Sequence, residues 1–173
     1  MEHIYSKLGG WFDFPKFYSH VINTFSSGST LIEIGTYEGM SLSYLVVEAI
    51  NSGKEFNIIG IDNFGFEGLR EKYDSNIEPI KDKIKTIHSG SWEAASKFED
   101  KSVDFVFIDA NHTYDAIRKD IDYWLPKIKP GGMLSGHDYN EDWHVGVKKA
   151  VDETFKDKVN LGFNNEGVWY VIL

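Results

Sequence analysis

Apolar residues in this chain fall into short runs separated by longer stretches in which they return every three or four positions. Residues 31–34, Asn57–Asp62 and 103–109 are such runs. Each reads as a strand covered on both faces, where alternate positions need not be polar. Ile84–His88 makes a weaker strand, with Ile84 and Ile87 set among Lys85 and Thr86, and residues 133–138 make a fifth. The stretches between carry the helical period. Residues 42–50 are one such helix, residues 67–83 a polar one broken near 76–79, and Ala94, Ala95 and Phe98 mark a short one. Tyr114, Ile117, Ile121, Trp124, Leu125 and Ile128 trace the stripe of another, which Pro126 should kink or end. Val145–Phe155 gives the last, with Val147, Ala150, Val151 and Phe155 on one face. Residues 159–164 and 168–173 pattern as an antiparallel hairpin about the turn Asn165-Glu166-Gly167.

Ahead of these units, Phe17, Val21 and Phe25, with Tyr18 and Ile22 beside them, predict an amphipathic helix that starts at Pro15 and ends in Ser26-Ser27-Gly28-Ser29. Aromatic stripes are usually core, so this region is read as a cover over one flank of a sheet. The alternative makes residues 5–14 a lid over a ligand.

The strongest turn signal follows the first strand, in Glu33-Ile34-Gly35-Thr36-Tyr37-Glu38-Gly39-Met40-Ser41. Strand, glycine turn and helix together present a nucleotide-sized ligand to the carboxyl edge of a parallel sheet. Gly35 permits a sharp turn, and Gly39 permits close approach of a ligand or strand to the first helical turn. Asp62 ends the second strand, 27 residues after Gly35, against a usual spacing of about 20, and its carboxylate can accept two hydrogen bonds from a ribose diol. Ser89-Gly90-Ser91-Trp92 is a turn into a helix; Ser91 and Trp92 either meet an adenine ring or, for Trp92, fill core. The fourth strand ends in Asp109-Ala110-Asn111-His112, and the fifth ends in His137-Asp138. Two separate strands that finish in carboxylates mark the ligand side. His112 is either a base or a solvent-facing helix start, and His137 is read first as a satisfied buried histidine. His144 lies close enough in sequence to Asp138 to line the same mouth, and Trp143 is an acceptor wall or ordinary core.

The 173 residues fit a single domain over 1–173, with 1–29 as its helical or lid segment. A net charge of −9, from 18 basic and 27 acidic residues, opposes a nucleic-acid backbone and suits a cationic ligand or a divalent metal. With no cysteine, thiolate metal sites, disulfides and cysteine nucleophiles are excluded. No run is long enough to cross a bilayer and the start lacks a secretion signal, so a cytoplasmic setting without a membrane partner is expected.

Five strand-then-helix units and a closing hairpin, with Glu33-x-Gly35-x-x-x-Gly39, Asp62 and Pro130-Gly131-Gly132 as a turn in that order, resemble the class I S-adenosylmethionine-dependent methyltransferases over roughly residues 30–173. The subgroup most similar by motif is the metal-dependent small-molecule and sugar O-methyltransferases. The resemblance implies an α/β fold: a Rossmann-like, doubly wound, seven-stranded sheet, mostly parallel with an antiparallel C-terminal hairpin, in an α/β/α sandwich. It implies that Glu33 and the backbone around Gly35 and Gly39 hold the methionine part of the cofactor, with Thr36, Tyr37 and Ser41 of the same loop. Asp62 would hold the ribose and Asn63 the adenosine pocket, and Gly90, Ser91 and Trp92 would meet the adenine. Asp109 would border the cofactor and, with Asp138 and His137, bind Mg²⁺ or another divalent cation, leaving His112 as the base. The subgroup usually has two adjacent carboxylates where this chain has His137 before Asp138, a set less purely oxygen-based than Mg²⁺ prefers.

The implied partner is a small-molecule acceptor. No motif fixes the oligomeric state, and a homodimer stays open. Two other classes remain: a nicotinamide oxidoreductase and a non-catalytic module of the same fold. Tyr37 opposes the first, because it stands where a dinucleotide fingerprint has its second glycine.

Overall fold

A computed structural model describes residues 1–139, 145–163 and 167–173. Its centre is a seven-stranded sheet in the order β3-β2-β1-β4-β5-β7-β6. The strands are β1 (Thr30–Ile34), β2 (Asn57–Asp62), β3 (Ile84–His88), β4 (Val103–Ile108), β5 (Ile128–Gly136), β6 (Asn160–Leu161) and β7 (Trp169–Ile172). The first five are parallel; β7 runs antiparallel to both β5 and β6 and lies between them. Strand order reverses between β1 and β4, and at such a switch point the flanking loops diverge and leave a crevice at the carboxyl edge.

The helices are α1 (Pro15–Thr24), α2 (Met40–Ser52), α3 (Leu69–Ile77), α4 (Ser91–Ala95), α5 (Tyr114–Trp124) and α6 (Val145–Phe155). Alternation along the central strands sorts the core into two layers. Leu31, Phe105 and Phe107 face Phe17, Tyr18 and Val21 of α1 and Leu42, Leu45 and Val46 of α2. Ile32, Ile34, Val106 and Ile108 face Ile117 and Trp124 of α5 and Val147 and Val151 of α6. The α1 stripe is the predicted one, with Pro15 in its first turn. The polar stretch after β2 breaks where expected, α3 giving way to a 3₁₀ segment at Glu78–Lys83.

Two elements differ from the sequence reading. Pro130-Gly131-Gly132 is no turn: it lies inside β5, where the pairing of β4 with β5 shifts between Val103–Ile128 and Phe105–Met133. The extra residues bulge out, and Gly131 takes a φ of +80° there while its N–H donates to the Leu173 carbonyl. Ile128 accordingly belongs to β5 and not to the preceding helix, which ends at Trp124. The β6 strand is also shorter than the run 159–164. Trp143, His144 and most of the turn at 165–167 lie outside the described residues. Among the described residues, no helix is long and apolar enough to cross a membrane.

Candidate functional site

The carboxyl ends of β1, β2, β4 and β5 border a cleft with two lobes. The larger, about 810 Å³, is lined on one side by Gly10, Trp11, Phe12, Asp13 and Phe14. Thr36, Glu38, Met40, Ser41, His112, His137 and Asp138 form the rest of its wall. The smaller lobe, about 380 Å³, is lined by Asp62, Asn63, Phe66, Ser89, Gly90, Ser91 and Asn111 among others. Gly35, Tyr37, Asp109 and Ala110 line both lobes, so these four residues form the common wall.

Gly35 sets that wall. Its φ is +87°, and a Cβ there would lie 2.0 Å from the Asp109 carbonyl oxygen. Only glycine lets the first turn run against the end of β4. Tyr37 follows at a φ of +47°, held by its N–H donating to Asp62 Oδ2 at 2.8 Å. The other oxygen, Oδ1, accepts the Phe64 N–H at 2.7 Å. Asp62 therefore ties the first loop to the second, and each oxygen keeps a lone pair for a ligand. Asn63 turns its own loop, accepting the Gly65 N–H.

Glu33, expected as a cofactor contact, lines neither lobe. It projects to the same side as Asp62, since it pairs with Gly60 two residues earlier, but it is buried under α1 and α2. Tyr18 donates to it at 2.7 Å and Ser41 at 2.6 Å. Burial pushes its carboxyl up to about 8, partly opposed by those two donors and reinforced by the charges of Asp109 and Asp62. Its work is to fix the start of α2. At Gly39 the groups a Cβ would meet are Ile77 and Tyr73, so the missing side chain lets α3 approach closely.

Ser91 reaches the smaller lobe, but its hydroxyl accepts the Trp124 indole N–H at 2.9 Å. Trp92 lines neither lobe. Its ring lies under Lys119 Nζ at 3.3 Å, and it faces Asp120 on α5 without closing an aligned hydrogen bond. Trp92 thus packs between α4 and α5, the second of its two expected roles. Burial pushes the Asp120 carboxyl up to about 6, with Ser91, Trp92 and Lys119 pulling it down.

In the larger lobe the ionisable groups meet one another. His112 Nε2 lies 3.3 Å from Asp109 Oδ1 and 3.0 Å from Asp138 Oδ2. His137 Nδ1 lies 3.5 Å from Asp138 Oδ2, and its Nε2 lies 3.1 Å from Asp13 Oδ1. Burial pulls His137 down, but the Asp138 hydrogen bond and the charges of Asp109, Asp138 and Asp13 outweigh it and raise it to about 9. His112 is raised in the same way, burial being outweighed by Asp109 and Asp138. Asp138 sits at a φ of +60°, a left-handed position that Asp tolerates and that turns its carboxylate inward at the end of β5.

Sequence reasoning missed Asp13, Glu38, Met40 and Phe66 as cleft residues. Reading residues 5–14 as flank cover was too narrow: Phe14 is core, while Trp11 and Asp13 stand over the larger lobe. The one signal was an acid inside an aromatic run, Trp11-Phe12-Asp13-Phe14, where a core stripe would carry none.

A doubly wound sheet with a two-lobed cleft at its switch point defines a Rossmann-like methyltransferase fold of class I. The chain belongs to the methyltransferase-domain family, whose model matches residues 32–139. It is 29% identical over 147 residues to the uncharacterised protein R132 of Acanthamoeba polyphaga mimivirus, covering 80% of this chain and 65% of that one. Among solved structures, a Corynebacterium glutamicum protein aligns over 99% of this chain and 90% of its own at 13% identity, with a TM-score of 0.74. A Staphylococcus aureus protein described as a caffeoyl-CoA O-methyltransferase aligns over 96% of this chain and 86% of its own at 17% identity, with a TM-score of 0.70.

Proposed function

We propose that the chain is an S-adenosylmethionine-dependent methyltransferase that methylates a hydroxyl of a small molecule. The observation that carries this is the shared wall: a ligand along Gly35, Tyr37, Asp109 and Ala110 has one end at Asp62 and the other beside His112. The residues fit the cofactor. Thr36 and Ser41 line the larger lobe beside Gly35. Asp62 offers the ribose two acceptors, Asn63, Gly90 and Ser91 border the adenosine side, and the acids of the larger lobe suit a positive charge. Tyr37 stands where a dinucleotide fingerprint has the glycine that lets the pyrophosphate approach, which disfavours the oxidoreductase reading.

When bound, the cofactor supplies a methyl group that leaves a sulfonium for an acceptor oxygen. The protein's part is to place that oxygen and take its proton. Asp109 and Asp138 both face His112 Nε2, so they hold the proton on that nitrogen in the neutral ring and leave Nδ1 to accept one. Their charge also raises the basicity of the ring.

Asp109, His137 and Asp138 fit a divalent cation as well: they offer one ligand atom each, all within 4.8 Å of one another. Two carboxylates and an imidazole suit Mn²⁺ better than Mg²⁺, and such an ion would acidify and orient the acceptor hydroxyl. His137 must lose its proton to ligate.

Thermal unfolding with added ligands tests the reading. S-adenosylhomocysteine at about 100 times its Kd should raise Tm by about 5–10 °C, whereas NAD should leave it unchanged. Mn²⁺ should add to the shift in the wild type and not in Asp138→Ala. Stabilisation by NAD in place of S-adenosylhomocysteine overturns the proposal.

A further inference from the structure

We infer that the acceptor is an uncharged or cationic molecule with a flat apolar body, and that phosphate esters, nucleotides and coenzyme A thioesters are excluded. This rests on the methyl-transfer reading and names the substrate class of the same cleft. The larger lobe carries four carboxylates, Asp13, Glu38, Asp109 and Asp138, against two imidazoles, His112 and His137. With a divalent cation on Asp109, His137 and Asp138 and with His112 protonated, the four acids still exceed the positive charges by one, and no lysine or arginine is among the described lining residues. A phosphate entering there meets no fork or ammonium to replace its water, and the charge of a cation held between Asp109 and Asp138 is already offset by those two carboxylates. The chain as a whole carries −9, so the long-range field opposes an anion too.

The apolar half of the lobe is aromatic. Phe12 and Phe14 stand edge to face, and Phe14 lies 4.8 Å from the His137 ring. Above them Trp11 is 89% exposed, with its ring centroid 6.4 Å from that of Tyr37, itself 41% exposed. Two exposed rings at the mouth of a cleft, tilted by 35°, offer faces that a planar body covers. The same faces, and the carboxylates behind them, attract a cation. A likeness of fold to a protein described as acting on a coenzyme A ester therefore carries no substrate here.

The test is calorimetric titration of the protein saturated with S-adenosylhomocysteine, using three probes that differ only in the tail: 2-(4-hydroxyphenyl)ethylamine, the corresponding ethanol, and its phosphate ester. The amine and the alcohol should bind, and the phosphate should bind at least tenfold more weakly than the amine. Glu38→Gln should narrow that gap, whereas Trp11→Ala should weaken the amine and the alcohol alike by about tenfold. Equal or tighter binding of the phosphate, or binding of none of the three while S-adenosylhomocysteine binds, overturns the inference. Failure of S-adenosylhomocysteine to bind instead overturns the methyl-transfer reading.

Discussion

On the β2 side of the cleft the polar groups are engaged by the protein's own backbone; on the β5 side they are engaged by one another. Asp62 accepts the N–H groups of Tyr37 and Phe64, and Asn63 accepts that of Gly65, so the smaller lobe is a set of turns locked by side chains. Asp109, His112, His137, Asp138 and Asp13 instead form a chain of ion pairs. The first arrangement gives a fixed shape and invites recognition of one invariant ligand. The second holds mobile protons and charge beside an aromatic wall, which suits chemistry on a variable partner. The two meet at the shared wall, and Glu33 lies beneath it.

Four changes break or sharpen this contrast. The largest effect belongs to Gly35, one of the four residues both lobes share. Gly35→Ala places a Cβ 2.0 Å from the Asp109 carbonyl oxygen at a φ of +87°, and should cost more than about 3 kcal/mol of stability together with all ligand binding. Denaturant unfolding checks it, and a near-normal midpoint would show that β1 and β4 are not held as close as described.

Next comes the acid beneath both lobes. Glu33 is pushed from its ordinary 4.5 up to about 8 by burial, so the folded state prefers its neutral form. Its contribution to stability is fully present below about 4.5 and is lost as pH rises through about 8. The slope over that window is at most about 1.4 kcal/mol per pH unit. The facing groups are Tyr18, Ser41, Asp62 and Asp109; the Tyr18 hydroxyl is itself held above its usual range by burial and by Glu33. Unfolding free energies at a series of pH values should fall towards alkaline pH in the wild type and flatten in Glu33→Gln. Equal slopes in the two proteins would remove Glu33 as the cause.

Asp62→Ala touches the smaller lobe alone. It leaves two backbone N–H groups without their acceptor, and should cost about 1–2 kcal/mol of stability and about tenfold or more in S-adenosylhomocysteine affinity. The acceptor lobe should keep its metal-dependent shift. The smallest effect is at Trp92, which lines neither lobe: Trp92→Phe should leave S-adenosylhomocysteine affinity within about twofold and cost about 1 kcal/mol or less, chiefly its contact with Lys119. A large affinity loss in that variant would restore the adenine contact expected from the sequence.

The sequence by itself determined the elements and their order. Five parallel strands, the helices between them and the closing antiparallel pair are written as hydrophobic periods, which depend only on neighbours along the chain. It also marked the carboxyl edge, because Gly35, Asp62, Asp109 and Asp138 all sit at strand ends, where a parallel sheet puts its loops. The Pro130-Gly131-Gly132 signal misled, since proline and glycine mark a bulge inside a strand as well as a turn between elements. What only the tertiary structure decided is which way each side chain points and what it meets. Glu33 and Trp92 stand beside cleft residues in sequence, yet α1, α2 and α5 claim them first. Asp13 and His137 lie far apart in the chain and become an ion pair because α1 covers the sheet and brings the segment before it over the cleft. Local pattern sets periods and turns, but contacts between distant segments follow from how helices fill the space left by one another, and no single stretch of sequence records that.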